Sequence, residues 1–311
     1  MKLTQAISLF LHDFLAAGNS PNTARVYQIN LNVLSSYLKD KDVREITEQD
    51  LRDFFYYLKM ERSEKPLSGW CINNYLKTIR AFCKWLNQEF DIPRADINLK
   101  PLKFAENERQ PLTFEQLRAV LETAEYVVYR LRDKVIKRRR PTGLRNKALL
   151  MLMLDTGLRA GEVCRLEWED IDLARGEIRI LIHNRGIKSR PRIVYLGKQA
   201  CKALQRYYLE QGGQGSVFNL TERGLRSLLK RIGDQAGVHL YPHLLRHTFA
   251  VMYLKGNNRA KGDIYSLQRL LGHATLDMVK RYLNLANEDV REIHREVSPA
   301  DRLLEDQRKA R

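Results

Sequence analysis

The chain has 311 residues, with 54 Lys and Arg against 37 Asp and Glu, for a formal net charge of +17. That length buries one large core or two modest ones, and that charge calls for a polyanionic partner, nucleic acid before an anionic membrane surface. No run of about 20 apolar residues is present, which excludes a membrane-spanning helix, and no C-x-x-C spacing links Cys71, Cys83, Cys164 and Cys201, which excludes a zinc or disulfide framework and leaves buried thiols of a cytoplasmic protein.

The first apolar stretch is amphipathic and broken by His12 and Asp13, so a helix from about Thr4 is expected rather than a signal peptide. Ser20 and Pro21 then open a helix to about Leu38, and Thr47 with Asp50 opens one to about Met60. The clearest helix runs over about 68–89. On it Ile72, Tyr75, Leu76, Ile79, Phe82, Cys83 and Leu86 recur at helical spacing and form one apolar stripe. Lys77, Arg80 and Lys84 lie together on its flank; such a flank is either a solvated face or a track for phosphates. Tyr27, Phe54, Phe55, Tyr56, Tyr57, Trp70 and Trp85 supply the bulk of a small helical core.

Pro93, Pro101 and Pro111 punctuate a charged segment poor in apolar residues, which reads as an interdomain linker. The domains expected are a helical one over 1–103, a linker over 104–111, and a second domain over 112–311 opened by a capping box at Thr113 and Gln116. Charge is shared unevenly. Residues 1–103 hold 15 basic and 12 acidic side chains, +3 of the total +17, leaving +14 for the rest. Much of that lies in YRLRDKVIKRRRPTGLRNK, nine basic residues against one Asp and including Arg138, Arg139 and Arg140. It reads as a solvated arm, or as a strap over DNA phosphates.

The run ALLMLML makes a helix central to the second core. It ends at Thr156-Gly157, and Arg159 follows at the start of another helix, with Glu162 one turn on and able to orient it. A structural ion pair is the plain alternative. In GEIRILIHNRGIKSRPRIVYLG, Ile178, Ile180 and Ile182 alternate, as do Ile193 and Tyr195 on the return, with Asn184 and Gly186 at the turn of a β-hairpin. Helices are expected over 199–211 and 221–236. Pro242 presets a helix on which His243 and Arg246 share a face. Gly272 suits the cap after Leu270 and Leu271, and Thr275 caps a further helix carrying Tyr282. A lone Tyr on such a helix is usually core. His243 and His247 are spaced as a zinc pair, but Leu244 stands where H-E-x-x-H needs its acid, so no metal is expected.

The ordered set of Arg159, a basic hairpin, His243-x-x-Arg246, Gly272-His273 and Tyr282 resembles the C-terminal signature of the tyrosine recombinases, the phage-integrase and Xer-type enzymes. DTGLRAGEVCRLEWEDID resembles that family's first-arginine motif. The resemblance spans nearly the whole chain, by specific motifs in the second half and by style only in the first. It implies a mainly α fold with a small β-hairpin or sheet: a helical core-binding domain of four to five helices, then a mixed α/β catalytic domain. It implies site-specific cutting and rejoining of double-stranded DNA through a 3′-phosphotyrosine on Tyr282, by a tetramer on two paired sites. The same chemistry serves integration or excision of a mobile element and chromosome dimer resolution.

Arg159 and Arg246 are matched to the non-bridging oxygens, because each presents a rigid fork of donors. His273 would donate a further hydrogen bond, and His243 is the candidate base. The family carries a catalytic lysine in the hairpin. Lys188 is chosen over its neighbours Arg185 and Arg190 because a general acid must be able to lose its proton. The implied enzyme needs no cofactor, ATP or metal. In related recombinases a C-terminal segment packs on a neighbouring subunit, for which Leu303 and Leu304 are available. The rivals are a type IB topoisomerase, which acts as a monomer, and a DNA-binding regulator that uses the fold without cleavage.

Overall fold

The computed structural model describes residues 1–62, 66–104, 110–131, 134–181, 191–256, 262–272, 279 and 282. Contacts within the chain divide it into two compact units that change over between Glu108 and Arg109. The fold is mainly α, with small antiparallel sheets.

The first unit carries α1 (Leu3–Ala16), α2 (Pro21–Tyr37), α3 (Glu48–Met60) and α4 (Gly69–Phe90). Local chemistry sets their starts. Pro21 takes the first turn of α2, where its missing N–H costs nothing. Thr47 Oγ1 accepts the Asp50 N–H at 3.2 Å while Asp50 accepts the Thr47 N–H at 2.7 Å, a reciprocal cap on α3. Ser68 caps α4 through the Cys71 N–H. The whole predicted stripe of α4 is buried, from Ile72 to Leu86. Burying each such side chain contributes roughly 1.5–3 kcal/mol, so α4 is the spine of this unit.

Residues 91–102, proline-punctuated but within the domain expected over 1–103, are folded onto α4. Ile92 and Leu99 are buried, and Asp96 is fully buried, held by Arg94 at 2.6 and 3.1 Å. Asn73 clips the chain by donating to the Leu102 carbonyl and accepting its N–H. Ile92 and Leu99 are too few to show a period, yet with the Asn73 clip they are enough to fix a short segment.

The second unit begins with α5 (Phe114–Glu125), capped as expected by Thr113 and Gln116. Two strands follow, β1 (Tyr126–Leu131) and β2 (Lys134–Arg139), then α6 (Gly143–Thr156) and α7 (Ala160–Arg165). A three-stranded antiparallel sheet, β3 (Ile171–Asp172), β4 (Glu177–Ile180) and β5 (Arg192–Tyr195), precedes α8 (Lys198–Gln211), α9 (Glu222–Ala236), α10 (Pro242–Lys255) and α11 (Ile264–Leu271). Helix α6 is central: Ala148, Leu149, Leu150, Leu152 and Met153 have no exposed surface, and α5, α8 and α10 pack on it.

One expectation for this unit is corrected. The basic stretch is not a solvated arm but an antiparallel hairpin, with Tyr126 opposite Arg139 and Tyr129 opposite Ile136. Its β-branched and aromatic residues hold strand positions that the surrounding charges mask. On β5, Ile193 and Tyr195 alternate as read from the sequence; they are on the exposed face, and Val194 is buried opposite Ile178. The inward face of β5 is therefore Val194 and Arg192, with Arg192 opposite Ile180.

Candidate active site

The site is built where the ends of α6 and α11 meet the side of α10. Gly157 closes α6 in the left-handed region, at φ +61°, and a Cβ there would come within 2.3 Å of the Phe249 ring on α10. Only glycine fits this position. The next turn presents Arg159, the residue before α7. Glu162 accepts its backbone N–H at 2.8 Å and its Nη1 at 3.3 Å, so the orientation read from the sequence is present. Arg246 lies one turn into α10 and is buried. Its Nη1 donates to the Gly157 carbonyl at 2.7 Å and its Nη2 to the Leu271 carbonyl at 2.8 Å. One guanidinium thus ties the C-terminal ends of two helices, where the helix dipoles favour a cation.

Sequence reading missed Arg192. Its side chain is 7% exposed and grips the Glu162 carboxylate with two parallel bonds, Nη1–Oε1 and Nη2–Oε2, both 2.9 Å. Its Nε donates to the Leu270 carbonyl at 2.6 Å. The motif signal was weak, since a strand arginine between a proline and an isoleucine carries no signature.

Tyr282 is half-buried against the small cluster of Phe249, Ala250, Leu254, Leu267, Leu271 and Val279. Its ring lies 5.5 Å from that of His247, which the sequence had offered only as half of a rejected zinc pair. Arg246 feels all of this. Burial pushes its guanidinium down, Arg159 and Arg192 push the same way, and Glu162 and Tyr282 pull it back up, leaving it at about 9 and charged at neutral pH. Three guanidiniums, one carboxylate and the phenol are thereby brought together. His243 is exposed on the first turn of α10. Lys188 and His273 lie outside the described residues. Among the described residues, no group of three or more His, Cys, Asp or Glu is placed to hold a metal, and no helix is long and apolar enough to cross a membrane.

Residues 110–289 match the model of the phage integrase family, and residues 7–90 match that of the phage integrase N-terminal SAM-like domain. The chain belongs to the phage integrase family. Its activity is that of a tyrosine site-specific recombinase. It is 29% identical over 294 residues to tyrosine recombinase XerC of Xylella fastidiosa strain M23, covering 91% of this chain and 92% of the relative. It is 29% identical over 290 residues to tyrosine recombinase XerA of Saccharolobus solfataricus, covering 91% and 89%. The fold is similar to that of a Tn1549 transposon integrase in complex with transposon right end DNA, with a TM-score of 0.70, 20% identity, and coverage of 96% and 100%. A lambda integrase dimer bound to a COC′ core site matches with a TM-score of 0.70, 17% identity, and coverage of 94% and 97%.

For this integrase-family chain, the side chains expected to meet DNA divide into two kinds. Lys77 and Lys84 on α4 and Arg138 on β2 are exposed. The others are engaged within the protein. Arg80 donates to the Leu99 carbonyl, and Arg140 donates to the Thr123 and Tyr126 carbonyls and to Gln235. Arg139 pairs with Glu125 at 3.2 Å and lies over the Tyr126 ring. Charge alone could not separate a guanidinium that braces a loop from one that awaits a phosphate.

Proposed function

We propose that this recombinase cuts and rejoins duplex DNA by attack of Tyr282 on a phosphodiester held by Arg159 and Arg246, leaving a 3′-phosphotyrosine and a 5′-hydroxyl. The observation that carries the reading is the charge gathered at Arg246, which senses Tyr282. Arg159, Arg192 and Arg246 contribute three positive charges and Glu162 one negative, a net of +2. A phenolate attacking a phosphodiester brings two negative charges together in the transition state. The cluster complements that state better than either reactant, which is how a fixed site accelerates a reaction.

His243 accepts the Tyr282 proton, His273 adds a donor to a non-bridging oxygen, and Lys188 protonates the leaving 5′-oxygen. Duplex DNA as substrate is supported by the two structural neighbours, both solved with DNA. Lys77, Lys84 and Arg138 are the exposed cations offered to its backbone, with Arg80, Arg139 and Arg140 in secondary roles. A tetramer on two paired sites, acting in the cytoplasm, completes the reading.

A suicide substrate, nicked so that the 5′ fragment diffuses away, tests it. Wild type should accumulate a covalent protein–DNA adduct. Tyr282→Phe, which removes one hydroxyl and keeps the ring, should form none while binding DNA with unchanged affinity. An adduct formed by that variant would sink the assignment.

A further inference from the structure

We infer that Arg192 is a positioning residue that occupies the Glu162 carboxylate and so keeps the Arg159 guanidinium available to the scissile phosphate. This rests on the reading that Arg159 binds that phosphate.

The geometry carries it. The Glu162 side chain is 3% exposed, so its charge must be met within the protein. Two arginines compete for it. Arg192 meets both oxygens at 2.9 Å in a parallel fork, whereas Arg159 reaches one oxygen at 3.3 Å with one nitrogen. Forked, charge-assisted bonds are the stronger kind, so the carboxylate belongs to Arg192. Exposure divides the two arginines the same way: 7% for the Arg192 side chain and 23% for that of Arg159. The arginine facing solvent is the one left incompletely paired, and solvent is the side from which DNA arrives.

Arg192 reaches this position because of its register and because of Gly272. Opposite Ile180, it points to the inward face of the sheet. It then passes under the turn that closes α11, where a Cβ on Gly272 would lie 3.0 Å from its Nη1 and 3.2 Å from its Cδ. Gly272 also holds φ +62° and immediately precedes His273. Through Nε and the Leu270 carbonyl, the same guanidinium braces that turn. With Arg192 gone, the buried carboxylate has the Arg159 guanidinium at hand, already anchored to it by backbone. Arg159 would swing into a full pair and be withdrawn from the phosphate.

The test is the single-turnover rate of adduct formation on the suicide substrate. Arg192→Met should slow it by about 10–100-fold, the scale of a misplaced catalytic group, with little change in DNA affinity. Adding Glu162→Gln removes the trap, so the double variant should be at least several-fold faster than Arg192→Met alone. A brace that acts only on stability gives the opposite sign, because losing both partners of a structural pair does not restore a rate. A double variant no faster than the single one, or an Arg192→Met variant as fast as wild type, overturns the inference. If Arg192→Met does not fold, Arg192→Gln keeps a donor for the Leu270 carbonyl and supports the same comparison. Arg159→Ala distinguishes the two levels. It should be slow in every background, and a normal rate for it would refute the phosphate reading itself.

Discussion

At the scale of single residues, the site works by dividing labour among similar groups. Three arginines converge, and their surroundings give them different tasks. Arg246 spends two nitrogens on helix-end carbonyls, Arg192 spends its fork on Glu162, and Arg159 keeps most of its donors. Each of them is committed to a carbonyl, a carboxylate or the phosphate, which directs the general-acid role to a lysine. A 5′-alkoxide is a very poor leaving group, so Lys188→Ala should slow cleavage by roughly 10²–10⁴-fold. A bridging 5′-sulfur leaves unaided, since thiols have pKa values of about 8.5. The Lys188→Ala variant should therefore recover on a 5′-phosphorothiolate substrate, whereas Arg159→Ala and His243→Ala should not. Absence of rescue would reduce Lys188 to a phosphate contact.

At the scale of elements, the β1–β2 hairpin shows how a strongly basic segment is held in order. A two-stranded ribbon alone is marginal in water. This one is anchored by Glu125, the buried last residue of α5, which meets Lys147 at 2.6 Å and Arg139 at 3.2 Å. Burial pushes the Glu125 carboxyl up, but Lys147 and then Tyr126 and Arg139 outweigh it and hold the group below the usual carboxylate range. The sign of the pH effect follows. A depressed folded pKa contributes stability that is fully present above the unfolded value of about 4.3 and is lost as pH falls through the folded value. Glu125→Gln should thus loosen the hairpin at pH 7 by about 1–2 kcal/mol, because both cationic partners are part-exposed and screened. Wild type and variant should converge once the pH is below the folded value. Hydrogen exchange of the β1 and β2 amides measures this, and equal protection at pH 7 would count against the anchor.

At the scale of the whole molecule, the changeover between units falls at Glu108 and Arg109, and each unit has its own apolar core. We propose that 1–103 and 112–311 fold as separate domains joined by 104–111. Limited proteolysis of the full chain should cut first within 104–110 and leave two resistant fragments. A first cut inside α4, with 104–110 intact, would contradict that boundary. The second domain, 112–311, carries +15 of the +17 charge, so the fragment beginning near 112 should retain most of the salt-dependent affinity for DNA.

The sequence by itself determined the elements whose signals are local. Pro21, Thr47 with Asp50, and Thr113 with Gln116 mark helix starts by chemistry within one turn, and the α4 stripe places seven residues at helical spacing. The order of Arg159, His243-x-x-Arg246 and Tyr282 was legible for the same reason: it is a pattern along the chain. What only the tertiary structure decided is which charges meet. Arg192 and Glu162 are 30 residues apart and belong to different elements. A strand arginine reads as polar-outward until pairing with Ile180 turns it inward. Arg80 and Arg140 read as phosphate contacts until their bonds to backbone carbonyls are seen. Propensity and capping act over a few residues and are written locally. The partner of a guanidinium is chosen by packing between segments distant in the chain, and no local pattern records that choice.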